Sequence, residues 1–391
     1  MRALRPSKAT VLLLCLGTVG SVAKAAYAPT DGIRLFASAG LRFDDNVLLL
    51  GPGQSVPLGY GDKGRGDWIR SAGMGWHAET RHSRQTWRID GQFNRNQYSD
   101  YRNFNYSSWQ HDLGWDWAVG EQWSGLLNLS DRNDRVDAGY APGVAQDEVR
   151  DRTLRVRALW APNAWLGLDG ESGLTRERHS AQTNYDDDLR SATFGASWST
   201  PRGSVFGVHV EQRRVNPVAD PAAGAGSDAY RLRYLRFDLV WPLSAKSQLS
   251  GRAGRVGASV AGEAAVSRGI GALAWRWLAS GKVAISLGIE RDFDDPGRSR
   301  TPTIHRNRYL RLSDTISEKT SMNVEWRDEK RQYDATPIGC ERTRMLRVSL
   351  VFRPDRAVEI TPYVSRAVRS SQSDVDSYVD NQLGATVRLY F

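Results

Sequence analysis

Hydrophobic and polar positions alternate with a period of two along much of the chain. In QTWRIDGQFNRN, Trp87, Ile89, Gly91 and Phe93 interleave with Arg88, Asp90, Gln92 and Asn94. In KVAISLGIERDF, Val283, Ile285, Leu287 and Ile289 interleave with Ala284, Ser286, Gly288 and Glu290. RMLRVSLVFRP and the closing NQLGATVRLYF repeat the pattern, the latter putting Leu383, Ala385, Val387, Leu389 and Phe391 on one face. Strict alternation over such lengths predicts strands with one apolar face. The expected strands are 33–43, 67–79, 85–97, 104–118, 121–133, 149–161, 164–178, 188–200 and 203–215. They continue at 228–242, 246–260, 266–278, 281–294, 302–316, 319–333, 342–353, 356–369 and 377–391. No helical stripe interrupts them.

The connections sort by length. Those after even-numbered strands are short, such as GE, PN, PR and SAK. Those after odd-numbered strands are longer, such as DRVDAGYAPGVAQDE, NPVADPAAGAGS and DATPIGCE, the last placing Cys340 in an external loop. Short turns on one rim and long loops on the other are the asymmetry of bacterial outer-membrane barrels. The reading is an all-β fold, a transmembrane antiparallel up-and-down β-barrel of about 18 strands, with both termini periplasmic.

The first 28 residues read as a secretory signal peptide. Arg2, Arg5 and Lys8 precede an apolar stretch from Val11 to Val22, and small-residue sites allow cleavage after Ala25 or Ala28. Residues 29–391 are then a single barrel domain. The formal charge of +9 falls to about +5 on removal of the peptide, since four bases and no acids leave with it. Cys340 is the one remaining thiol, so no intrachain disulfide framework is expected. No later apolar run is long enough for a membrane-crossing helix.

Aromatics support the barrel. Trp115, Trp117, Trp123, Trp160, Trp165, Trp198, Trp241, Trp275 and Trp277 collect near the short turns. Such rings favour the membrane interface, where one part meets hydrocarbon and the polar edge meets water. Tyr390 and Phe391 resemble the C-terminal signature that the barrel assembly machinery recognises, and Phe391 is expected at the periplasmic interface where the barrel closes. Closure matters, because an open sheet edge in lipid leaves backbone groups unpaired.

If the apolar faces meet lipid, the other faces define a lumen wide enough for water. Arg88, Arg155, Arg157, Arg213, Arg236, Arg276, Arg327, Arg347, Arg353 and Arg388 are the candidate lumen-lining bases. Asp90, Asp112, Asp116, Asp169, Glu171, Glu211, Asp238, Glu290 and Glu325 share their face. Mixed signs fit ion pairs that brace the wall, and also an electrostatic path for a charged solute. His209 reads as a polar lumen residue. The histidines show no metal-like spacing, and no catalytic constellation or nucleotide loop stands out. Neither enzyme activity, a cofactor nor a nucleic-acid partner is expected.

Several stretches together resemble EpsL-type proteins, outer-membrane barrels encoded with bacterial exopolysaccharide synthesis machinery. They are FASAGLRFDDNVLLL, the HSRQTWRIDGQFNRNQYSDYRNFNYSSWQHDLGWDW region, YLRFDLVWPLSAKSQLSGRAG and the final LGATVRLYF. The resemblance implies a part in exopolysaccharide biosynthesis, with the polymer exported through the polar lumen. The implied partners are outer-membrane lipid, the exopolysaccharide chain, the barrel assembly machinery and the periplasmic parts of an export complex. The alternative is a general or solute-selective porin, for which a loop folded into the lumen is required. Residues 44–66 are the one connection long enough. An anchoring barrel that conducts nothing is a third possibility.

Overall fold

The computed structural model describes residues 32–135, 147–181, 183, 186–218, 229–260, 265–294, 303–333, 340–372 and 377–391. The signal-peptide expectation and much of the three long loops quoted above lie outside the described residues. The strands are β1 (Ile33–Asp44), β2 (Asp67–His82), β3 (Gln85–Tyr98), β4 (Tyr106–Val119), β5 (Trp123–Arg135) and β6 (Glu148–Trp160). Next come β7 (Leu166–His179), β8 (Asp187–Ser199), β9 (Val205–Pro217), β10 (Tyr230–Ser244), β11 (Ser247–Val260) and β12 (Val266–Leu278). The last are β13 (Val283–Asp294), β14 (Thr303–Ser317), β15 (Thr320–Tyr333), β16 (Cys340–Phe352), β17 (Val358–Ser371) and β18 (Tyr378–Tyr390). Short 3-10 pieces lie at Leu58–Tyr60 and Arg102–Phe104. Among the described residues no helix is long and apolar enough to cross a membrane.

Each strand pairs antiparallel with its sequence neighbours, and β1 pairs with β18, from Phe36 opposite Tyr390 to Asp44 opposite Gln382. The 18-stranded sheet therefore closes on itself. The backbone amide of Phe391 donates to the Leu35 carbonyl at 2.9 Å, extending the seam to the last residue. The start of β1 and the end of β18 lie on the rim with the short turns.

The burial pattern is inverted relative to a water-soluble protein. Phe194, Ile289 and Leu383 are 69%, 57% and 56% exposed, whereas Asp67, Glu211 and Glu341 are 2%, 7% and 7% exposed. This is the pattern of a wall whose outer face meets hydrocarbon. On β10 the outward residues Leu235, Phe237, Leu239, Trp241 and Leu243 form an unbroken stripe. Eight steps of ~3.4 Å, tilted by about 40°, give an apolar height of about 21 Å.

On the short-turn rim outward tryptophans meet across neighbouring strands, two pairs stacked and one tilted. Trp87 and Trp115 lie 4.9 Å apart, Trp123 and Trp160 6.0 Å, and Trp165 and Trp198 6.0 Å. Their ring nitrogens turn toward the rim: Trp115 donates to Gln85 at 2.9 Å and Trp275 to the Ser247 hydroxyl at 2.7 Å. Two details differ from expectation. The β2–β3 hairpin is tighter, because Ser83 takes a positive φ of 56° and lets His82 pair with Gln85. Cys340 is not in a loop: it opens β16, half-buried and opposite Gln332.

Candidate functional site: the inner wall and the first loop

All ten candidate arginines lie on the face opposite the apolar one. That face is concave, because its side chains reach past an intervening strand. Arg252 on β11 pairs with Glu290 and Asp292 on β13, and His209 on β9 reaches Asp169 on β7. Only the inner side of a closed sheet brings such groups together.

Most of the ten are neutralised. Arg88 pairs with Asp116, Arg155 with Glu171 at 3.3 Å, and Arg157 with Asp169 at 3.5 Å. Glu211 receives both Arg213 and Arg236, the latter at 3.0 Å. Arg327 lies between Glu325 at 3.0 Å and Glu329 at 3.2 Å. Glu359 is shared by Arg353 at 2.6 Å and Arg388 at 3.5 Å. Two stand apart. Arg347 lies over the Tyr363 ring at 4.3 Å, and among the described residues neither it nor Arg276 has an acidic partner. Both are exposed on the inner face. Wall bracing accounts for eight of the candidates, and a free cation for the other two.

His209 sits between Asp238, 2.7 Å from Nδ1, and Asp169, 3.2 Å from Nε2. Gly195 on the strand between makes this span possible, since a Cβ there would collide with the imidazole. Sequence reading placed His209 on the inner face but gave no sign of this bridge. Its two acids lie 40 residues before it and 29 after.

The first loop, residues 45–66, folds against the inner wall at the long-loop rim. Val47, Leu48 and Leu50 are buried with Ile69 of β2, Tyr101 and Phe104, and Tyr98 of β3 packs on the group. Ile69 and Tyr98 belong to the inner face, because Trp68 and Trp87 carry the outer phase of their strands. The sequence Asp44-Asp45-Asn46 anchors this loop. The Asn46 amide donates to the carbonyls of Leu50 at 2.9 Å and Val379 at 2.8 Å, and its oxygen accepts from the Leu50 backbone at 2.9 Å. Asp45 accepts from the backbone and side chain of Asn381 at 2.7 and 2.6 Å. At the far end, Asp67 accepts from the amides of Asp100 and Tyr101, and the Tyr101 hydroxyl donates to Gly64 at 2.6 Å. Burial, reinforced by Asp67, pushes the Tyr101 phenol above its ordinary pKa, so it stays a donor.

A second apolar patch lines the wall on the opposite side. Val215, Tyr230, Leu232, Tyr234, Val256 and Ile270 form it on β9–β12. In a ring of 18 strands, β11 is nine places from β2. The inner wall near the mouth thus carries buried apolar clusters on two sides, with the ion-pair network along the wall.

These features define the class: a bacterial outer-membrane β-barrel with an inward-folded first loop. No protein-family profile matches the sequence, and no curated protein matches it. Solved structures do. Pseudomonas aeruginosa OccK9 (OpdG) is similar at 11% identity and a TM-score of 0.50, over 92% of this chain and 98% of that one. P. aeruginosa OpdL is similar at 10% identity and 0.48, over 93% and 99%. The siderophore receptor PirA of P. aeruginosa gives 10% and 0.45, over 93% and 81%. At such identities the likeness to OccK9 speaks for the fold alone.

Proposed function

We propose that the protein is a porin-like, solute-selective channel with its long loops outside the cell and both termini in the periplasm. The observation that carries this reading is the first loop, pinned to the inner wall by Asp45 and Asn46 rather than standing free. A loop held inside the mouth narrows the path, and a braced polar wall leaves the rest wet. Arg276 and Arg347 are the cations a solute would meet unpaired, so anionic solutes are the favoured cargo.

The test is conductance in planar bilayers, comparing the intact chain with one in which residues 48–64 are replaced by a short Gly-Ser linker. The intact chain should conduct, and the shortened loop should raise the single-channel conductance. A correctly folded barrel with no conductance in either form would sink the reading.

The likeness of FASAGLRFDDNVLLL and its companion stretches to EpsL-type proteins supports a second reading, participation in exopolysaccharide export. Deletion in the native host separates the two. Loss of surface polymer with periplasmic accumulation favours export, and unchanged polymer with altered small-solute uptake favours the porin.

A further inference from the structure

The outer wall carries cations in registered rows above the apolar band. On β13–β15, Arg291, Arg306 and Lys330 stand directly opposite one another on successive strands, and Arg342 of β16 extends the row. On β8–β10, Arg190, Arg214 and Arg231 do the same. All share the phase of the lipid-facing apolar residues of their strands.

Their height is regular. Arg306 lies four residues before Leu310, Lys330 four after Trp326, and Arg342 four before Leu346. Arg190, Arg214 and Arg231 stand in the same relation to Phe194, Val210 and Leu235. Four steps of ~3.4 Å on a strand tilted by about 40° put these six cations about 10 Å above the apolar residues named, at the headgroup layer, and Arg291 stands two steps beyond the exposed Ile289.

Like charges directly opposite on neighbouring strands, ~4.8 Å apart, repel. In the first row, Arg342 donates from Nε and Nη2 to the two carboxylate oxygens of Asp328, each at 2.7 Å. Among the described residues no acid lies within ion-pair distance of Arg190, Arg214, Arg231, Arg291, Arg306 or Lys330. Two sets of three neighbouring cations left without an acid near the rim of the outer wall call for an anion from outside the chain.

We propose that these rows bind the phosphate groups of the phosphorylated glycolipid in the outer leaflet, fixing the barrel's height and tilt in the membrane. Arginine suits phosphate because its planar fork donates two parallel hydrogen bonds. The apolar stripes beneath would take the acyl chains of the same molecule. The proposal depends on the long loops facing outward and is independent of what passes through the lumen.

Two triple variants test it: Arg291→Gln/Arg306→Gln/Lys330→Gln and Arg190→Gln/Arg214→Gln/Arg231→Gln. Purified protein in neutral detergent is titrated with bisphosphorylated lipid A, dephosphorylated lipid A and inorganic phosphate, reading melting temperature and bound lipid. The intact chain should bind the bisphosphorylated lipid at least tenfold more tightly than the dephosphorylated one and gain thermal stability with it, while inorganic phosphate leaves the melting temperature unchanged. Each variant should lose that preference, yet melt no lower than the intact chain in detergent alone, since repulsion has been removed. Equal binding of the two lipids would overturn the proposal. So would unchanged preference in both variants, or variants that melt lower without lipid.

Discussion

At the scale of single residues, polar side chains act as ties between distant parts of the chain. Asn46 makes three hydrogen bonds that hold the first loop to itself and to β18. Asn46→Ala should cost about 1–3 kcal/mol, because carbonyls and an amide are left buried without partners. Its denaturation midpoint should fall, and single-channel records should show larger, noisier conductance as the loop loosens. Gly195 is a tie of another kind. Gly195→Val drives a side chain into the His209 ring and separates the imidazole from Asp169. His209→Ala should reproduce most of the loss of stability in urea titrations, since both changes leave Asp169 and Asp238 without their shared partner. Arg347→Gln and Arg276→Gln break no ion pair, so they should leave stability within about 0.5 kcal/mol. Both should lower the anion-to-cation permeability ratio measured from reversal potentials under a salt gradient.

At the scale of elements, the period of two decides everything a strand can tolerate. Ser286 and Leu287 are adjacent on β13, yet one faces the lumen and the other lipid. Leu287→Arg should cost about 2–4 kcal/mol in vesicles, while Ser286→Arg should be nearly neutral. Urea-dependent folding into lipid vesicles separates the two; equal costs would mean the assigned faces are wrong. The last strand adds closure. Phe391, 78% exposed, completes the seam with Leu35 and presents its ring outward. Phe391→Ser should lower the amount of heat-modifiable, folded barrel recovered from outer membranes without changing expression.

At the scale of the whole molecule, ion pairs brace the wall from within while apolar side chains coat it from without. Braces such as Arg236 with Glu211 join strands that already pair, and Arg252 with Glu290 spans one that intervenes. Local information is rich in such a fold, because each strand pairs with its sequence neighbours and shows its two faces as a strict alternation. All eighteen expected strands match observed ones to within three residues, and the outward faces of β3, β13 and β18 are those the alternation defines. The short-turn tryptophans and the final phenylalanine were legible for the same reason: position along a strand translates directly into height on the wall. The partners of inner-wall charges were not legible, because they depend on which side chains a curved surface brings together across intervening strands. Arg252 escaped notice in a Gly- and Ala-rich strand whose faces blur in sequence, although Glu290, one of its two acids on β13, stood out as an inner-face residue. The Asp44-Asp45-Asn46 anchor shows the same division. Its residues stand out as a cluster of polar groups at a strand end, but their partners on β18 lie more than 300 residues away. The sequence by itself determined the strands, their faces and the rims, since period and turn length are local properties. Only the tertiary structure decided the closure, the inward fold of the first loop and the pairing of charges, since each requires distant segments to meet.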